Sequence, residues 1–76
     1  MNTVTLRMTD ELTEKEVVRT IDISVLRVND DNALSGWECD IIAPVERQRK
    51  QLERWISERG NQQHDTILTL NSWDIN

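Results

Sequence analysis

The segment Pro44 to Gly60, PVERQRKQLERWISERG, constrains the fold more than any other stretch, because it alone carries an unambiguous helical period. Val45, Leu52, Trp55 and Ile56, with the aliphatic stems of Gln48 and Arg59, recur on one side, so about a third of the circumference is apolar and needs a layer beneath it. Pro44 suits a first helical position, where a missing N–H costs nothing. Glu46 in the first turn, Arg59 in the last and Gly60 just beyond it complete the start and stop signals. The pairs Glu46/Lys50 and Arg54/Glu58 each contribute only about 0.2–0.5 kcal/mol. Such a helix holds by docking on a sheet.

Opposite the apolar side, Arg47, Lys50 and Arg54 form a line of like charges. A solvated outer face explains them first, and a contact surface for phosphates or an acidic partner second. The helix carries five basic residues against three acidic ones, a surplus of two. With a net charge of −5 overall, the remainder sums to −7. Phosphate repulsion from that remainder argues against generic duplex binding.

Alternation defines the strands. Val4, Leu6 and Met8 share one parity in TVTLRM, and Ile21, Ile23 and Val25 another within the β-branched run Lys15 to Val28. The pairs Val17/Val18 and Val25/Leu26 break alternation, which a bulge or burial of both faces would explain. Asn29 to Gly36, NDDNALSG, reads as a loop. As a calcium loop from Asp31 it fails, because Ala33 and Ile42 stand where oxygen ligands belong. In WECDIIA, Trp37, Cys39 and Ile41 face one way, and Ala43 before Pro44 is extended. Asn61 to Asp65 is a short connection. In the last strand, Thr66 to Ile75, Ile67 and Trp73 share one parity and Leu68 and Leu70 the other, the mark of a strand covered on both faces.

The expected architecture is α+β: residues 1–76 as a single small domain, a mainly antiparallel sheet of about four strands with one helix on one face, in the order βββαβ. Reading residues 10–19 as a helix instead gives a ferredoxin-like βαββαβ order. A helix on one face leaves apolar strand residues for the open face, among them Leu26, Val28, Ile42 and one parity of the last strand.

In 76 residues the core is limited. One cysteine, Cys39, excludes an internal disulfide, and with one histidine, His64, it cannot build a zinc site. That points to a reducing compartment and to a partner or second copy as a source of stability. No apolar run follows Met1, so the expectation is a soluble, cytoplasmic protein with no membrane contact. Cys39 and His64 are not placed together by spacing, Asp30/Asp31 and Glu38/Asp40 read as a solvated face, and Gly36 and Gly60 cannot form a phosphate loop. No catalytic, metal or cofactor site is expected.

The function expected is that of a non-enzymatic protein-binding module, a small acidic inhibitor, regulator or adaptor occupying a surface of a larger protein or complex. One version is a phage- or mobile-element-type inhibitor of a nucleic-acid-binding machine. The candidate partner-binding residues are Arg47, Lys50 and Arg54 on the helix, Asp30, Asp31 and Asp40 on the acidic side, and Trp73, the tryptophan placed to be partly exposed. The alternatives are a nucleic-acid-binding regulator using the basic stripe, and a structural homodimer joined through the open sheet face or the edge of the last strand.

Overall fold

The structure is a computed structural model and describes residues 2–30 and 39–76. The chain is α+β. Strands β1 (Thr3–Asp10) and β2 (Glu16–Asp22) form an antiparallel hairpin, and β5 (Leu68–Ile75) pairs antiparallel with the other side of β1, giving the order β2-β1-β5. A second, two-stranded ribbon joins β3 (Arg27–Asp30) to β4 (Cys39–Ile42). Helix α1 (Val45–Trp55) continues through a wide π turn (Ile56–Gly60) into α2 (Asn61–His64). Where one sheet of about four strands was expected, there are a three-stranded sheet and a separate ribbon. The order is βββ, β, helix, β.

The division arises at Asp22. Its carboxylate accepts the Ser24 N–H at 2.8 Å, which turns the chain into a single 3-10 turn, Ile23–Leu26, in place of a continuing strand. Ile23 and Leu26 are then three apart on one side of that turn, and both are buried. The broken alternation at Val25/Leu26 therefore marks a change of element. The other irregular pair, Val17/Val18, lies in plain strand: Val17 faces the core and Val18 is 56% exposed on the far face.

The core lies between the sheet and the helix. Val4, Leu6 and Met8 of β1 are fully buried, and Leu52, Trp55 and Ile56 pack down on them with Ile23, Leu26, Leu68 and Leu70. The parity conflict in β5 has a physical answer. Leu6 pairs with Trp73 and Arg7 with Ser72, but Met8 pairs with Leu70, so Asn71 is an extra residue in the ladder. This bulge inverts the alternation, and Leu68, Leu70, Trp73 and Ile75 all face the core from one edge strand. No second cover is needed.

The opposite face of the sheet is polar. Thr5 lies 3.3 Å from Thr20, Asn71 donates to Thr9 at 2.7 Å, Asn76 donates to Thr5 at 2.7 Å, and Arg7 pairs with Asp74. Val18 is the apolar exception there among the described residues. Of the apolar residues expected to crowd this face, Leu26 is absorbed by the 3-10 turn and those of β5 by the bulge, whereas Val28 and Ile42 belong to the separate ribbon, where Ile42 stays exposed.

Gly60 does not stop the helix. Its backbone is right-handed helical and it is buried, with the Trp55 ring so close that a Cβ would sit 2.9 Å from Cζ3. The helix ends at Asp65, which takes the left-handed conformation at φ 50°. Asn61 Oδ1 then accepts the Leu68 N–H at 2.9 Å and sets the start of β5.

Candidate functional site

The first turns of α1 leave the β3–β4 ribbon through Ala43 and Pro44. Ala43 is buried, and its N–H donates to the Leu26 carbonyl at 2.9 Å. That bond anchors the junction while its neighbours stay outside. Ile41 is 51% exposed, Ile42 39% and Val45 68%. Val45 was expected on the docked side, but it precedes the point where the helix reaches the sheet; Gln48 is the first side chain buried there.

Arg47, Lys50 and Arg54 all lie on the exposed side of α1. Arg47 and Lys50, with Pro44 and Glu46, line an open depression of about 300 Å3. Arg54 differs from them, since its Nε donates to Glu58 at 2.9 Å in a pair whose side chains are 77% and 57% exposed. That bond holds the Arg54 proton more firmly than usual, but a pair so exposed adds little stability. Among the described residues the stripe therefore offers two uncommitted cations followed by a paired one.

On the ribbon, Asp30 pairs with Cys39 and Asp40 with Asn29, so the backbone brings the two aspartates onto adjacent strands. Asp31, Trp37 and Glu38 lie outside the described residues. Trp73 is half-buried, its indole N–H donating to Gln48 Oε1 at 3.0 Å and its ring roofed by the Arg49 guanidinium at 5.4 Å. Sequence reasoning counted only the aliphatic stem of Gln48 and did not single out Arg49. Gln48 gave a signal, being a polar residue in the middle of the apolar stripe.

His64 occupies the last helical turn and is half-buried, with Nε2 lacking a partner among the described residues. Among the described residues no group of three His, Cys, Asp or Glu side chains could hold a metal ion. No described helix is long and apolar enough to cross a membrane.

At the far end of the sheet, Asp10 organises the β1–β2 hairpin. Its Oδ1 accepts from the Thr66 hydroxyl and from the Leu12 and Thr13 N–H groups. These bonds, the one from Thr66 foremost, hold its carboxyl below the ordinary range. The hairpin tip carries Glu11, Glu14 and Glu16 against Lys15, so acidic and basic surfaces sit on different elements.

No protein-family model, curated protein or solved structure gives a significant match to this chain.

Proposed function

We propose that this chain is a non-enzymatic protein-binding module that acts by occupying a surface of a larger partner. The observation that supports this reading is the exposed apolar run Ile41, Ile42 and Val45 leading directly into the exposed cations Arg47 and Lys50. Apolar side chains at the centre with charge at the rim is the usual composition of a protein contact. The basic rim favours an acidic partner surface, and the cations speed encounter. Such a module works as an inhibitor or adaptor in the cytoplasm; one that held an acidic segment of a nucleic-acid-binding machine would regulate it without touching nucleic acid.

The test is affinity capture from the native cell with three variants in parallel: Ile41→Ser/Val45→Ser, Arg47→Glu/Lys50→Glu, and Asp30→Lys/Asp40→Lys. The reading expects the first two to lose a companion protein that the third retains. Identical capture by all three ends it. If the companion is nucleic acid instead, its affinity falls with salt at a slope of roughly two counterions for Arg47 and Lys50; a flat response excludes that version.

A further inference from the structure

The outer edge of β5 has a symmetry that the rest of the sheet lacks. In the order β2-β1-β5, one side of β5 meets β1, and among the described residues no strand lies on the other. Two hydrogen bonds fix which groups face outward. Asn76 N–H donates to the Thr3 carbonyl at 2.9 Å, and Glu11 N–H donates to the Ile67 carbonyl at 2.8 Å. In an antiparallel ladder, residues alternate between facing their partner strand and facing away. Counting inward from both ends, the main-chain groups of Leu68, Leu70, Trp73 and Ile75 point away from β1. The capping of Leu68 N–H by Asn61 agrees with this.

That set is palindromic about the Asn71–Ser72 peptide. The bulge at Asn71 inverts the alternation at the centre, so the two halves mirror each other. An antiparallel copy of the same strand therefore presents matching donors and acceptors: Leu70 stands opposite Trp73 of the copy, and Leu68, through its carbonyl, opposite Ile75. Without the bulge this register is lost.

The charges above the strand obey the same symmetry. Arg49 lies over Trp73. Glu53, one helical turn later, lines a groove of about 200 Å3 with Leu68, Thr69 and Leu70. Its lining comes from β5 and the helical segment and from no residue of β1, so this groove lies on the free-edge side of β5. Pairing Leu70 with Trp73 of a second copy brings Glu53 towards Arg49 of that copy, and the reverse, as an isologous contact requires. On the polar face, Thr69 comes opposite Asp74.

We propose that a second copy of this chain occupies this edge, joining β5 to β5 antiparallel about a two-fold axis at the Asn71–Ser72 peptide and making one continuous six-stranded sheet. The contact uses none of Arg47, Lys50 or Arg54, so its failure and that of the binding-face reading are separate results. One strand and one helix flank place it at the small end of stable interfaces, with micromolar association.

Sedimentation equilibrium from micromolar to millimolar concentration tests it, on the wild type, Arg49→Glu, Glu53→Arg and the double exchange, with circular dichroism establishing that each is folded. The wild type is expected to dimerise, each single reversal to weaken the dimer about tenfold, and the double exchange to restore it. A wild type that stays monomeric throughout, or a dimer indifferent to the single reversals, overturns the proposal. Register is tested separately with Thr69→Cys and Asp74→Cys in a Cys39→Ser background. Disulfide formation in the mixture, and not in either protein alone, supports the pairing; equal yields from the separate proteins overturn it.

Discussion

Trp73 of β5 and Gln48 of α1 are tied by one hydrogen bond, the indole N–H donating to Oε1 at 3.0 Å. Gln48 is buried and extends the connection, its Nε2 donating to the Ala43 carbonyl at 2.7 Å. One side chain therefore satisfies a donor on the sheet and an acceptor at the ribbon-to-helix junction. Gln48→Met keeps the volume but leaves both groups unpaired, at about 1–3 kcal/mol for each one fully buried. Trp73 is only half-buried, so a loss of about 2–4 kcal/mol is expected, read from the urea midpoint at unchanged slope.

Gly60→Ala should destabilise the protein, although alanine is the better helix former by about 1 kcal/mol. The added Cβ would lie 2.9 Å from the Trp55 ring, a rigid group held in the core. Overpacking of this kind costs about 1–3 kcal/mol, so a net loss of about 1 kcal/mol is expected. For a domain of this size, thermal unfolding should begin to lose about 4–8 °C. An unchanged or higher midpoint would show that the ring moves aside freely.

Asn71 separates the effect of a side chain from that of a residue. Asn71→Ala removes an exposed bond to Thr9 and should cost about 0.5–1 kcal/mol. Deleting Asn71 restores regular pairing and turns either Leu68 and Leu70 or Trp73 and Ile75 to the outside. The deletion is expected to abolish cooperative unfolding, monitored by near-ultraviolet circular dichroism.

Asp10 and Asp22 set the acid limb of stability. Hydrogen bonds from Thr66, Leu12 and Thr13 lower the pKa of Asp10, and bonds from Ser24 lower that of Asp22. A carboxyl depressed in the folded state contributes stability that is complete above its unfolded pKa and is lost as pH falls through the folded one. The urea midpoint should therefore hold from neutral pH down to the ordinary aspartate range and decline below it. Asp10→Asn and Asp22→Asn, which keep an accepting oxygen, should each flatten that decline.

The helix and the first strand were legible because their periods are clean: Leu52, Trp55 and Ile56 are buried as spaced, and so are Val4, Leu6 and Met8. What could not be read from alternation were the places where the period changes. Asp22 was read as one polar position in a strand, whereas its carboxylate starts a turn. The two apolar parities of the last strand pointed to cover on both faces, whereas the extra residue Asn71 inverts the parity of everything after it. Gly60 carried the signature of a helix end, but its lack of a side chain serves contact with Trp55. Local pattern reports the period of an element; long-range packing decides where that period breaks. The basic stripe was legible as exposed charge, but Arg49, at the edge of the same helix, acquires its role only from Trp73 in a distant strand.

The wide turn at Ile56–Gly60 has a consequence for changes in chain length. An α-helix drifts by about 40° at every four-residue step, and the turn closed by Asn61 N–H on the Ile56 carbonyl takes that drift back, so Leu52, Ile56 and Gly60 stay on the sheet. Excising one residue there would only restore an ordinary α turn and leave the end facing much as before, whereas excising one from the regular turns of α1 would rotate that end by about 100°, carrying Asn61 away from Leu68. Helix and last strand are thus locked in frame with one another, and an engineer seeking room for a tag or a grafted peptide should open the exposed hairpin tip at Leu12–Thr13 instead.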